Sequence, residues 1–239
     1  MIYKCPGQDR RFISAEALKC AACGYEIEVF SDEIKIRCPR CRGLVYRETL
    51  PSCVDWCRYA KDCIGEQAYN NHLQNKAVTI KQKLIEELVR HFGKDAKRIA
   101  HAKKVMQFAE ELLRRETADW HIVIPASILH DVGIKAAEEK YGSAAGHYQE
   151  KEGPEIARKI LLKTGLKKED IDEICGIVAN HHSPGKINTQ NFKVLYDADW
   201  LVNLKDEVVS KEKDKMKGVI NKVFLTKTGR EIAEKIYLK

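Results

Sequence analysis

No apolar run in this 239-residue chain approaches the ~18 residues that would suggest a membrane span. The opening Met-Ile-Tyr-Lys-Cys-Pro also lacks the apolar stretch of a secretory signal. Internal repeats and low-complexity segments are missing too, which sets aside repeat architectures and compositionally disordered tracts. Cysteine all but vanishes after residue 63, where only Cys175 remains of the nine. That distribution, with no signal, argues against a disulfide-rich secreted domain and for metal or redox chemistry in the cytoplasm. With 44% hydrophobic and 32% charged residues, the chain has the composition of an ordinary globular protein. Its length allows one sizeable core plus a small accessory unit, divided here as 1–75 and 76–239.

The formal net charge of +7 invites a nucleic-acid reading. Residues 1–75 hold 11 Lys+Arg against 10 Asp+Glu, and the remainder holds 31 against 25. The cysteine-rich part is therefore nearly balanced, and the rest spreads its excess over helical faces. A solvated mixed-charge surface is the better account, and nucleic acid is not the expected partner. The basic bias suits a small anionic substrate.

Two knuckles organise the first part, Cys20-Ala-Ala-Cys23 and Cys38-Pro-Arg-Cys41. Between them, 25–30 and 33–37 alternate apolar and polar residues, which predicts two short strands with a turn at 31–32. Four thiolates from two hairpin ends can close a tetrahedron around zinc with no open position. Residues 18–47 resemble a zinc ribbon. Cys5, Cys53, Cys57 and Cys63 form a second set that suits either another zinc or an iron–sulfur cluster. A unit this small has little apolar surface, so metal would supply much of its stability. It would cap the other module or dock a protein partner.

From residue 79 the pattern becomes helical. Apolar stripes predict helices at 80–91, 96–115, 122–132, 154–164, 168–181, 190–204 and 228–238. Pro154 marks one expected start, and Thr228 with Glu231 a capping box at another. Segments 138–152 and 183–189 read as loops that would carry specificity. His101, His181 and Asp197 fall on inward faces of separate helices. A lone buried carboxylate is expensive, and a metal shared with His130-Asp131 would compensate all of them.

The ordered set resembles the HD-domain superfamily of metal-dependent phosphohydrolases. It comprises His101 in Arg98-Ile-Ala-His101, the doublet in Ile128-Leu129-His130-Asp131-Val132-Gly133, and Asp197 in Tyr196-Asp197-Ala198-Asp199-Trp200-Leu201. The resemblance implies a mainly α protein, an all-helical bundle preceded by the small metal-bound β domain. It implies a divalent ion (Mn, Fe, Mg, Ni, Co or Zn) held by His101, His130, Asp131 and Asp197. Two-metal relatives add histidines, to which His181 and His182 correspond. His147 lies six residues before Gly153, where the relatives place theirs about four before the glycine, so one ion or two both remain open.

Metal-activated water would then hydrolyse a phosphate ester in a nucleotide-like substrate. Asp131 would fix the water, and His181 or His182 would contact phosphate or protonate the leaving group. Arg98 and Lys135 are candidate phosphate contacts, and Asp199 is read as a structural neighbour of Asp197. Three other readings compete: a metal-bound nucleotide sensor signalling through the cysteine-rich part, a two-iron oxygenase, and a nucleic-acid-binding protein.

Overall fold

A computed structural model describes residues 15–30, 33, 35–46, 54, 59–207 and 213–238. The chain divides into two compact units, Met1–Lys76 and Ala77–Lys239.

The first unit holds two antiparallel hairpins. Strand β1 (Ala15–Lys19) pairs with β2 (Glu26–Phe30), and β3 (Lys35–Arg37) pairs with β4 (Leu44–Tyr46). Strands were expected at both 25–30 and 33–37, but these two do not pair with each other. Each instead returns on a partner through its own cysteine knuckle, so the knuckles are the hairpin turns. Gly24 adopts the left-handed conformation after the first knuckle, where only a residue without a Cβ turns at no cost. Alternation on β2 buries Ile27 and Val29, which pack with Cys20 and Cys38 into a core of four residues. A short helix α1 (Ala60–Ile64) follows.

Helix α2 runs over Glu66–Phe92, much longer than the predicted 80–91. Its first turns, rich in Asn and Gln, carry no apolar stripe, and only from Ile80 do buried positions recur with Leu84, Leu88 and Phe92. The helical core is then built from α3 (Ala96–Leu113), α4 (Trp120–Leu129), α5 (Ile134–Tyr141), α6 (Gly146–Leu161), α7 (Lys168–Val178), α8 (Gln190–Glu207), α9 (Lys213–Val223) and α10 (Lys227–Tyr237). Helix α4 lies at the centre. It packs on α3, α7 and α8, and every residue from Ile122 to Leu129 is buried. A helix apolar all round belongs in such a place. Asp95 and Asp119 cap α3 and α4 by accepting from the Arg98 and His121 N–H groups. Among the described residues, no helix is long and apolar enough to cross a membrane.

Three boundaries differ from expectation. Pro154 sits inside α6, which starts at Gly146, so 146–152 is helix rather than loop. Packing accounts for the neighbouring Gly153. It lies against Gly133 and Val178, where a Cβ would collide with the valine side chain. At α10 the cap is Thr226, accepting from Gly229 N–H at 2.9 Å, while Glu231 pairs with Arg115 instead of completing a capping box. The His130-Asp131 doublet, expected within a helix over 122–132, occupies the turn between α4 and α5.

Gly133 follows the doublet, and a Cβ there would overlap the backbone of Gln149 and Gly153. Backbone cannot swing aside as a side chain can. Gly133→Ala is therefore expected to cost about 3 kcal/mol, the upper end for overpacking. Chemical denaturation should show the lower midpoint; a midpoint unchanged from wild type would refute the contact.

Candidate metal centre

Three imidazoles and two carboxylates converge from four places in the helical unit. His101 comes from the second turn of α3. His130 and Asp131 come from the α4–α5 turn, His181 from the turn after α7, and Asp199 from the middle of α8. Asp131 lies at the middle: its Oδ2 is 3.3 Å from His130 Nε2 and 3.5 Å from His101 Nε2, and its Oδ1 is 3.4 Å from His181 Nε2. Asp199 Oδ1 is 3.1 Å from His101 Nε2 and 3.6 Å from His130 Nε2, and it accepts from Asn203 Nδ2 at 2.9 Å.

Hydrogen bonding fixes which nitrogens face inward. His130 Nδ1 lies 2.8 Å from the Ser127 carbonyl, and His181 Nδ1 2.8 Å from the Val178 carbonyl. A carbonyl only accepts, so each Nδ1 carries the hydrogen, and the neutral ring's Nε2 presents a lone pair to the centre. The Nε2 of His181 is buried without a hydrogen-bond partner. The Nε2 atoms of His101 and His130 stand only 3.3 Å apart. Lone pairs and carboxylate oxygens gathered this closely repel one another unless positive charge lies among them. Ring orientation by a second-nitrogen hydrogen bond is the usual support of metal-binding imidazoles.

The electrostatics agree. Burial opposes a charge on His130, yet Asp131 and Asp199 lift the ring to about 9. Burial likewise opposes the charge on Asp131, but His130 and His181 hold its carboxyl well below the usual carboxylate range. The pocket draws positive charge to itself, and this donor set of imidazole and carboxylate fits a divalent ion.

Asp197, expected as the last ligand, takes no part in this cluster. It is fully buried, but its carboxylate accepts hydrogen bonds from the backbone N–H groups of Leu225 and Thr226, both at 2.8 Å, and from Thr226 Oγ1 at 2.6 Å. Burial pushes its carboxyl up to about 6 in spite of those donors. Residues two apart on a helix point about 200° apart, so Asp197 and Asp199 cannot serve one site. The structure gives Asp199 the inward position.

Of the remaining candidates, His182 offers a ligand atom within 4.8 Å of those of Asp131 and His181, so the second histidine of the doublet stands beside the cluster as well. His182 is exposed beside His181, with ring centroids 4.0 Å apart and Nε2 3.4 Å from Gln149 Oε1. Burial of its ring atoms and the neighbouring His181 lower it to about 4. His147 is exposed and packs against Tyr148 outside the cluster. Arg98 is already paired with Asp95 and Glu138. Lys135 is exposed on α5, near enough to weigh on His91, whose Nε2 meets the Val132 carbonyl at 2.9 Å. Sequence reasoning missed Asn203 behind Asp199, and buried Glu150. The latter accepts from His182 N–H and Ser183 Oγ, thereby tying the 181–183 turn to α6. A buried acid in a polar, loop-like segment gave no periodic signal.

In the first unit, Cys20, Cys23, Cys38 and Cys41 converge as a zinc-ribbon-like four-cysteine site. The Sγ atoms of Cys20 and Cys41, and of Cys23 and Cys38, are 3.6 Å apart, far beyond the ~2.05 Å of a disulfide. A tetrahedron with bonds of ~2.3 Å has edges of about 3.8 Å, close to this spacing. The N–H groups of Cys41 and Arg40 lower Cys38 to about 7. The Tyr25 N–H favours the Cys23 thiolate as well, but burial and three adjacent thiols push that group up to about 12. Four thiolates cannot all be charged there without a cation. Cys5, Cys53 and Cys57 lie outside the described residues, as does the side chain of Cys63.

Comparison with known proteins agrees with this reading of the helical unit. Residues 98–204 match the HD domain family. A solved structure from an uncultured Thermotogales bacterium, described as a predicted HD superfamily hydrolase, is similar at 26% identity and a TM-score of 0.50. The similarity covers 66% of this chain and 84% of that one. No curated protein matches the sequence.

Proposed function

We propose, from the premise that the chain carries an HD domain of the metal-dependent phosphohydrolase type, that it hydrolyses a phosphate ester of a nucleotide-like substrate. His101, His130, Asp131 and Asp199 would hold a divalent ion, and His181 would face it from the far side of Asp131. Such an ion supplies a Lewis acid that acidifies bound water and offsets charge growing on phosphoryl oxygens. The single observation carrying the reading is the buried, unpartnered lone pair of His181 aimed at the acid cluster.

The chain's own groups have distinct tasks in this proposal. Asp131 presents one oxygen to the His101–His130 side and the other to His181, so it can orient water while accepting a proton. Neutral His182, exposed at the rim, offers a hydrogen bond to a phosphate oxygen. Glu150 holds the turn that carries both histidines. Arg98, spoken for by two carboxylates, would have to exchange partners before meeting phosphate. The thiolate set is assigned a structural zinc, which is consistent with a reducing, cytoplasmic setting.

The test begins with metal analysis of anaerobically purified protein. A panel of nucleoside monophosphates, deoxynucleoside triphosphates, and cyclic and dinucleoside phosphates is then assayed for phosphate release. Turnover of at least one class, dependent on added metal, is expected. Tight nucleotide binding with no turnover under any metal would favour the sensor. Oxygen consumption by an iron-loaded protein would favour the oxygenase.

A further inference from the structure

Asp199 reaches the cluster from a helix that is gripped from behind. On the opposite side of α8, Asp197 accepts three hydrogen bonds from the two residues that lead into α10. Thr226 is shared: its hydroxyl donates to Asp197 and accepts from Gly229 N–H, capping α10 while binding α8. A Cβ at Gly229 would overlap the Asp197 carboxylate, so the absence of one lets the first turn of α10 close onto the acid. The start of that helix is the positive end of its dipole, where a carboxylate is favoured. Tyr237 adds a second tie at the other end of α10, donating to the Leu201 carbonyl at 2.7 Å. All these donors lie beyond the stretch 98–204 that matches the HD domain family.

We infer that Asp197 is a positioning residue, clamping α8 to the head of α10 so that Asp199 is presented at the histidine cluster. The inference rests on the proposed role of Asp199 as a ligand. Asp197 acts through the backbone of its own helix, since two residues of α8 carry any shift of one acid directly to the other. The C-terminal helix thus belongs to the metal centre without supplying a ligand. A supporting group of this kind typically changes metal affinity roughly 10–100-fold when altered.

The experiment titrates Mn²⁺ into the full-length apoprotein by calorimetry. This hard ion is poorly suited to the thiolate set and so reports the histidine–carboxylate site. Asp197→Asn, which turns a donor toward Thr226, should weaken Mn²⁺ binding at least about tenfold. Thr226→Val, removing one hydroxyl, should weaken it by a smaller factor in the same direction. Leu84→Ala, a core truncation in α2, serves as a control that lowers the melting temperature and leaves the Mn²⁺ affinity at the wild-type value.

Loss of melting temperature by Asp197→Asn with wild-type Mn²⁺ affinity would overturn the inference. If that variant does not fold, an unchanged affinity in Thr226→Val does the same. Wild-type protein that binds no divalent ion at this site is a different result, and it removes the proposed function itself.

Discussion

Replacing Asp131 with alanine is expected to lower phosphate-ester hydrolysis by at least about 1,000-fold, close to 4 kcal/mol of barrier. The carboxylate meets all three imidazoles of the cluster: His101 and His130 through one oxygen and His181 through the other. Its loss leaves Asp199 beside His101 and His130 but removes the one carboxylate that links them to His181, so metal and oriented water should go together. Helical content by circular dichroism should match wild type, because the residue lies in a turn and contributes no core volume. Steady-state rates on the best panel substrate, with metal content measured in the same samples, decide the matter. A variant retaining a tenth of the activity would rule out Asp131 as the centre of the reaction.

Asp199→Ala should remove bound metal more severely than any change at Asp197. A direct ligand is worth more than the supporting groups, so an affinity loss above about 100-fold is expected. Asp197→Ala should weaken metal binding by a smaller factor and have its larger effect on stability. It leaves the buried Thr226 N–H, the Leu225 N–H and a hydroxyl without an acceptor. Unsatisfied donors cost about 1–3 kcal/mol each, and the raised carboxyl shows that burying the charge offsets part of this. A net loss of roughly 3 kcal/mol follows. The two substitutions, compared by metal titration and by denaturation, should trade places in rank. If Asp197→Ala strips metal completely while Asp199→Ala keeps it, the assignment of the two acids is reversed.

That pair also shows where sequence reasoning stops. The acids lie two residues apart on α8, whose residues 194–199 are all buried. Helical periodicity separates an inside from an outside, and here both sides are inside. Only the packing of α10 against one of them decides which acid is a structural anchor. The cysteine knuckles were legible for the opposite reason: each pair is local, and the turn that joins its two strands is the site. Strand pairing was less so, because alternation marks a strand but not its partner, and β1 and β4 lie outside the alternating stretch.

The histidines fall between these cases. His101 lies on a regular stripe, and His130-Asp131 stands in an apolar context, so the structure's gathering of both with His181 could be anticipated. The turn that carries the doublet could not. It depends on Gly133 meeting Gly153 across α6, a contact between residues that look like simple helix breakers. His147, nominated by order along the chain, packs on Tyr148 instead, while buried Gln149 and Glu150 of α6 meet His182 and its turn.

The two hairpins of the first unit have separate hydrogen-bond ladders, and apart from the cysteines their shared core among the described residues is small: Ile27 and Val29, with partly buried Leu18, Ile36 and Val45. An ion held by one pair of thiolates from each hairpin would therefore be a reversible cross-link whose strength depends on supply. By mass action, each tenfold rise in free ion above the dissociation constant adds about 1.4 kcal/mol to that unit's folding. Starvation for metal, or oxidation of a knuckle, would loosen this β module by degrees, making its integrity a gauge of the ion available around it.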